Sequence, residues 1–453
     1  MTPPSPSAAL AQPGADSAVL FGENSRFASA LAVVVAIGAG CTVQYGRELF
    51  DPLIESLEVQ GWAAFLTRPS LMWFEMGIFL LLVRTLLWLG YRPYPATDYQ
   101  SAPKLSVVIP AYNEGAMVQQ TVRSCANASY PLGRLEIIVV DDGSTDDTWT
   151  HVTRSVLEHS EMVRAVRFPR NRGKRAALAA GFEIASGDIL VTVDSDSIVE
   201  RDAFLAITGP FRDEKVGAVG GKVCVLNRFH SLLPRMLHVR FILSFDFLRS
   251  AQSSYGTVYC CPGALSAYRA SVITPLIPGW LQQRFLGTPC TIGEDRALTN
   301  DVLASGYKTV YQRTAVMHTL APETYRKLCR MYLRWDRSYI REETRLLRIM
   351  WKLPFPAMVL TMIDTAVRNL RYPVAYCSLG LLIYFSVQDP WTFLRVLLSI
   401  GIVSCLYSLY FLRSERSREF LFGVLYAYFA FLSLFWIFPY ALATVRERSW
   451  MTR

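Results

Sequence analysis

The segment Asp194-Ser195-Asp196 places two carboxylates one residue apart, directly after the apolar run Ile189–Val193. Hard oxygen ligands at that spacing can hold a divalent cation, which neutralises charge developing on a leaving diphosphate. Such a pair is common in solvated loops; its place behind a β-rich run gives it weight. Two other β-rich runs end in comparable groups. Leu105–Ile109 leads into Pro110-Ala111-Tyr112-Asn113-Glu114, and Ile137–Val140 into Asp141-Asp142-Gly143-Ser144. An aromatic ring can stack on a flat base, and a carboxylate can accept a base N–H. Each segment by itself reads more simply as a polar turn.

Arg172, Lys174 and Arg175 open a helical stretch, where they add charge to a phosphate site or form a solvated helix end. Glu294 and Asp295 precede Ala297-Leu298-Thr299. As first-turn acids they need no function; the functional reading makes one a general base toward an acceptor hydroxyl. Arg334-Trp335 offers a cation for a pyrophosphate and an aromatic face for a sugar; its plain reading is an interfacial Trp with a snorkelling Arg. His318 has no Cys or His near it, and Cys260-Cys261-Pro262-Gly263 lacks the spacing of a zinc or redox site.

These groups need a scaffold that brings strand ends together. Leu105–Ile109, Ile137–Val140, Val163–Phe168 and Ile189–Val193 are short β-rich runs, with helical stretches at Met117–Ala128, Asp147–His159 and Lys174–Ala185 between them. A βαβα series predicts a mostly parallel sheet covered by helices on both faces, with ligands beyond the carboxyl ends of its strands. Phe229–Ser250 and Thr324–Met350 are Arg-studded and apolar on one face, as interfacial helices are.

The 453 residues are 52% hydrophobic, with mean hydropathy +0.24, too apolar for a purely soluble enzyme. Membrane-span candidates are Phe27–Tyr45, Leu71–Tyr91, Tyr372–Val387, Trp391–Leu412 and Phe420–Leu442, with Pro354–Leu370 interrupted by Asp364 and Arg368. The expected organisation is a disordered tail at 1–25, two transmembrane helices within 26–92, a cytosolic domain with interfacial helices at 104–343, and an interfacial helix with three or four transmembrane helices at 344–453. Arg26 and Arg92 flank an acidic loop, which places the N-terminus and the central domain in the cytoplasm. The basic segments Arg413–Arg418 and Arg446–Arg453 both prefer the cytoplasm, and a single helix between them cannot satisfy both. A net charge of +9 suits membrane flanks or a phosphate groove. No basic, aromatic-interleaved module points to nucleic acid. The nine cysteines form no CxxC pair, so reduced thiols are expected. A transporter or receptor would carry intramembrane charge rather than acids clustered in a soluble domain.

In order, the motifs resemble those of the family 2 processive glycosyltransferases: hyaluronan, chitin, chitin-oligosaccharide and cellulose synthases. The likeness is strongest to hyaluronan synthases. It rests on Asn171-Arg172-Gly173-Lys174-Arg175, Val193-Asp194-Ser195-Asp196-Ser197, Ala251-Gln252-Ser253, Gln283-Arg284-Phe285-Leu286-Gly287, Gly293-Glu294-Asp295-Arg296 with Leu298-Thr299-Asn300, and Arg334-Trp335 followed by Ser338 and Arg341-Glu342. The resemblance implies a GT-A type α/β domain for nucleotide sugars, joined to interfacial helices and an α-helical transmembrane region, in a multi-pass protein of the inner or plasma membrane. It implies that Tyr112, Glu114 and Asp142 contact uracil, Lys174 and Asp194 the nucleotide, and Asp196 a Mg or Mn ion. Asp295 becomes the general base, Arg334 and Trp335 lie near diphosphate and acceptor sugar, and Cys260, Gly263 and Glu294 stand at the acceptor. The implied activity is an inverting, processive β-glycosyltransfer from UDP-GlcNAc, with or without UDP-GlcA, to a growing polysaccharide exported past membrane lipid. A chitin or chitin-oligosaccharide synthase and a single-addition enzyme acting on a lipid are the alternatives. Two departures stand out: Met331 replaces the Gln of the family's QxxRW motif, and Pro262-Gly263-Ala264 replaces its Gly-Gly-Pro or Ser-Gly-Pro.

Overall fold

The computed structural model describes residues 69–447, with Glu55, Glu58, Val59 and Gly61. The expected tail at 1–25, the span Phe27–Tyr45 and the last basic residues lie outside the described residues. One compact unit covers Met76–Gly380 and resumes at Phe429; Leu381–Tyr428 belong to a second.

The first unit is built on an eight-stranded sheet. Its strands are β1 (Leu105–Ala111), β2 (Leu135–Asp141), β3 (Val163–Arg167), β4 (Ile189–Val193), β5 (Ser197–Val199), β6 (Val216–Val225) and β7 (Leu265–Arg269), with Lys308–Thr319 as β10 after a small hairpin, β8 (Arg284–Phe285) and β9 (Thr288–Pro289). Spatial order is β3-β2-β1-β4-β7-β6-β10-β5. The first four strands in chain order run parallel, joined by α2 (Met117–Ala126), α3 (Thr148–Glu158) and α4 (Lys174–Ile184). β1 and β4 are buried along their whole length, as strands covered on both faces must be. Val108, Ile138, Leu190 and Tyr268 pack into one core with Phe182 and Leu298.

The sheet is mostly parallel, as expected, since β6 also runs parallel to β10. The exceptions are β7, antiparallel to both β4 and β6, and β5, antiparallel to β10. The pairing of Val193 with Leu265 explains the consequence. β7 starts where β4 ends, so the turn before it lies at the mouth of the parallel strands.

Beyond the sheet, the expected helix at Phe229–Ser250 is three pieces: α6 (Leu232–Phe241), a π-helical stretch at Ile242–Leu248, and α7 (Arg249–Ser253). Two further helices border the site, an isolated α5 (Ala203–Thr208) lying elsewhere against the sheet: α8 (Glu294–Ala304) and α9 (Tyr325–Ile349). The Thr324 hydroxyl caps α9 by accepting from the Lys327 N–H at 3.4 Å.

The helix α1 (Pro69–Gly90) matches the expected Leu71–Tyr91. At the C-terminal end, α10 (Phe355–Gln388) absorbs the ambiguous segment 354–370 and carries Pro373 inside it. Its Asp364 accepts from Arg84 Nε of α1 at 2.8 Å, so the charge that interrupts the apolar run is paired. Among the described residues α10 and α11 (Trp391–Glu415) are long and apolar enough to cross a membrane. The last expected span is two helices, α12 (Phe420–Ser433) and α13 (Ile437–Ala443), bent by 52°.

Candidate active site

The loops after β1 and β2 are fastened to each other. Asn113, at φ 53°, donates its N–H to Ser144 Oγ at 3.0 Å and accepts from Thr145 N–H at 2.9 Å. Glu114 N–H donates to Thr148 Oγ1 at 2.8 Å. This leaves the Tyr112 ring exposed beside the Asp141-Asp142 turn. Asp142 itself is buried, and its two oxygens accept from the backbone N–H groups of Arg172 (2.7 Å) and Gly173 (2.8 Å). Burial pushes its pKa up despite those amides. Its structural work is to hold the loop that delivers Lys174.

Lys174 opens α4 and stands between two acids, with Nζ 2.5 Å from Asp194 Oδ1 and 3.0 Å from Glu294 Oε1. Burial works against its charge, but Asp194 and Glu294 outweigh that and raise its pKa. Asp194 follows β4, and its N–H donates to Ala264 O at 3.4 Å, tying the strand end to the turn before β7. Thr192 Oγ1 donates to Gly263 O at 3.1 Å on the same seam. Asp196 Oδ1 accepts from Thr319 Oγ1 at 3.1 Å, at the end of β10. Among the described residues no group of three or more His, Cys, Asp or Glu forms a metal cage. Asp194 and Asp196 instead make a sparse, hard-oxygen set, which suits an ion that keeps waters and takes phosphate oxygens.

Glu294 and Asp295 begin α8 behind Gly293, whose φ of +81° forms the turn. A β-carbon on Gly293 would lie 2.7 Å from Ser338 Cβ of α9, so no other residue lets α8 start so close to α9. Asp295 Oδ2 accepts from the Gly263 N–H at 3.2 Å and from the Cys260 thiol at 3.5 Å. Burial, then the charge of Glu294, holds the Asp295 pKa above the usual carboxylate range. For Glu294 burial alone would do the same, but Lys174 and other donors, with Arg334 behind them, bring its pKa down. Cys260 is pushed up to about 12 by burial and by Asp295, so it stays a neutral thiol. A β-carbon at Gly263 would come within 3.2 Å of Lys174 Nζ and 3.7 Å of Glu294 Oε1, so this glycine is the floor between the charged groups.

On α9, Trp335 is partly exposed, with Phe241 and Tyr332 rings at 5.9 and 5.6 Å. Met331, one helical turn earlier, is half-buried. The structure thus gathers Lys174, Asp194, Gly263, Cys260, Glu294 and Asp295 into one contact set. Tyr112, Glu114 and Asp142 sit on the neighbouring strand ends, and Arg334 and Trp335 on the helix facing α8.

Sequence reasoning missed the residues that brace this set. Glu342 Oε1 accepts from Gln283 Nε2 at 2.5 Å, and Glu342 Oε2 from Asn300 Nδ2 at 3.0 Å and Arg345 Nη1 at 2.9 Å. Gln283 also accepts from Arg175 Nη1 at 2.9 Å. Gln283, Asn300 and Glu342 lie in motifs that carried the resemblance, where buried polar type was the available signal; Arg175, expected at a phosphate site or a solvated helix end, is instead buried and donates to Trp280 O at 2.8 Å.

The sequence pattern of glycosyl transferase family 2 matches residues 106–275. An N-acetylglucosaminyltransferase of Azorhizobium caulinodans is 33% identical over 352 residues, covering 78% of this chain and 87% of the relative. The chain belongs to glycosyl transferase family 2. A hyaluronan synthase of Streptococcus pyogenes serotype M3 is 32% identical over 386 residues, covering 80% of this family 2 chain and 86% of the synthase. In structure, the mannosyltransferase PcManGT from Pyrobaculum calidifontis, solved with GDP-Man and Mn2+, superposes with a TM-score of 0.57 at 22% identity, covering 80% of this chain and 98% of that one. The fold of this family 2 glycosyltransferase is therefore GT-A.

Proposed function

We propose that this glycosyltransferase is a processive, inverting polysaccharide synthase that takes UDP-GlcNAc, together with UDP-GlcA, and builds a hyaluronan-like chain. The observation that carries the reading is Asp295, poised by Gly263 N–H and Cys260 Sγ beside the Lys174–Asp194 pair. Asp295 takes the proton of the acceptor hydroxyl as that oxygen attacks the anomeric carbon from the face opposite UDP. A single displacement of this kind inverts the donor and gives a β-linkage. Lys174 offers its charge to the nucleotide, with Tyr112, Glu114 and Asp142 around the uracil. Arg334 supports the diphosphate side, and Trp335 gives a ring face to the acceptor sugar. Asp194 and Asp196 would hold Mg2+ or Mn2+, which when bound neutralises charge on the departing diphosphate. The GT-A neighbour solved with Mn2+ supports that assignment. The domain at 104–343 faces the cytoplasm in this reading, with the apolar helices in the inner or plasma membrane and the product leaving past lipid.

A chitin-oligosaccharide synthase using UDP-GlcNAc alone is the second reading. The Azorhizobium N-acetylglucosaminyltransferase favours it, and Met331 and the turn Pro262-Gly263-Ala264 leave room for a polymer other than hyaluronan. Purified full-length protein given single UDP-sugars and then pairs decides between them, with UDP release and product length measured. The first reading expects long product only with both donors, degraded by hyaluronidase. Long, chitinase-sensitive product from UDP-GlcNAc alone selects the second.

A further inference from the structure

Arg249, the first residue of α7, is half-buried, and its Nη1 is buried with no hydrogen-bond partner among the described residues. Its guanidinium carbon lies 3.9 Å from the centre of the Phe245 ring. Arg175, Arg341 and Arg368 also have a buried guanidinium nitrogen without a partner, but each donates elsewhere, to Trp280 O, Arg337 O and the Glu343 carboxylate. Arg296, Arg313, Arg345 and Arg368 each hold a carboxylate. A buried cationic donor without an acceptor costs stability, so its retention points to an anion that arrives from outside.

Its position says which anion. Phe241, Phe245 and Arg249 are spaced four residues apart along one continuous helical run. Phe241 packs on Trp335 at 5.9 Å and on Phe245 at 5.3 Å. The row therefore leads from the ring proposed for the acceptor sugar to a guanidinium. Burial is the largest influence on Arg249 and lowers its pKa; Cys260, Cys261, Tyr311 and Asp295 act the other way. These neighbours place it on the Cys260 side of Asp295. The diphosphate side is occupied by Lys174 with Asp194. An anion reaching Arg249 thus belongs to the acceptor, and a planar, bidentate donor fork matches a carboxylate.

We propose that Arg249 is a specificity residue that binds the carboxylate of a uronic acid in the acceptor chain. The assignment rests on the two-donor reading above. It gives an alternating polymer a way to be recognised by its acidic sugar.

The test is a charge cycle on the full-length protein in detergent with UDP present. A uronate-terminated tetrasaccharide and its methyl ester, equal in shape but uncharged, are titrated calorimetrically into wild type, Arg249→Gln and Arg249→Lys. Wild type should bind the acid at least 10-fold tighter than the ester, Arg249→Gln should bind the two alike, and Arg249→Lys should recover part of the difference. UDP binding by each variant reports the fold. Equal binding of acid and ester by wild type, no binding of either, or undiminished discrimination by Arg249→Gln overturns the proposal. Donor use by wild type is scored separately. A long polymer from UDP-GlcNAc alone sinks the two-donor reading itself, whereas two-donor synthesis with a charge-blind Arg249 sinks only this assignment.

Discussion

Glu294 and Asp295 are neighbours at the start of α8, yet the fold gives them opposite proton affinities. Glu294 pairs with Lys174 at 3.0 Å and is held anionic, while Asp295 meets only a backbone N–H and a neutral thiol through Oδ2. This contrast is the ground for proposing Asp295, rather than Glu294, as the proton acceptor. Asp295→Asn should lower turnover by roughly 10²- to 10⁴-fold with UDP binding little changed. Glu294→Gln should instead alter UDP affinity through Lys174 and keep the acid limb of the pH profile. The reverse pattern would move the base to Glu294.

The raised pKa of Asp295 has a sign that can be checked. The folded protein binds this proton more tightly than the unfolded chain, so the group costs stability above its folded pKa. That cost disappears as pH falls below the ordinary aspartate value of about 4. Asp295→Asn should thus have a higher Tm than wild type at pH 7 and lose that advantage in acid. In the wild type, kcat/KM should fall with acid above the usual carboxylate range. A mutant less stable than wild type at neutral pH would contradict the buried-charge argument.

Gly263→Ala tests the floor of the site. The new methyl would stand 3.2 Å from Lys174 Nζ, and the lysine is the movable partner. Displacing it from Asp194 should weaken UDP binding by about 10-fold, a shift of about 1.4 kcal/mol. The fold should survive because the obstruction is the end of a flexible chain. Unaltered UDP affinity would mean that Lys174 does not serve the nucleotide.

The proposed metal dependence rests on the hard-oxygen pair Asp194 and Asp196. Chelation with EDTA should abolish UDP release, and Mg2+ or Mn2+ should restore it. Asp196→Asn should do the same irreversibly while the protein remains folded, as read by its thermal transition. Full activity in chelator would remove the ion from the reaction.

Gly293→Ala should be severe for two reasons: φ is +81°, and Ser338 Cβ lies 2.7 Å from where the methyl would go. Backbone strain alone is worth about 1–3 kcal/mol, and steric overlap adds to it. Ser338→Gly in the same chain should recover the overlap and leave the strain. Equal Tm values for the single and double variants would show that the overlap relaxes at no cost.

The parallel half of the sheet was legible because apolar runs and helical periodicity alternate there without interruption. Asp194 and Asp196 were legible for the same reason, since a strand end fixes where its next residues point. β7 was not. Five residues, Leu265–Arg269, carry no local sign of direction, and their antiparallel pairing with β4 is settled by contacts far along the chain. The positions of Cys260 and Gly263 against Asp295 depend on that pairing, so spacing and periodicity could not supply them. The bend between α12 and α13 was hidden by an apolar run that continues straight through it.

Glu342 joins stretches that are remote in sequence, because Gln283 and Asn300 both donate to it, alongside Arg345 from its own helix. Changing any one of them leaves the others buried with a broken bond, so a single replacement is penalised while a coordinated one is not. The three loci should consequently behave as one inherited character among descendants of this gene, kept together or exchanged together. A chimera that imports α8 from a distant relative without its matching α9 should fail at assembly, before catalysis is ever tested.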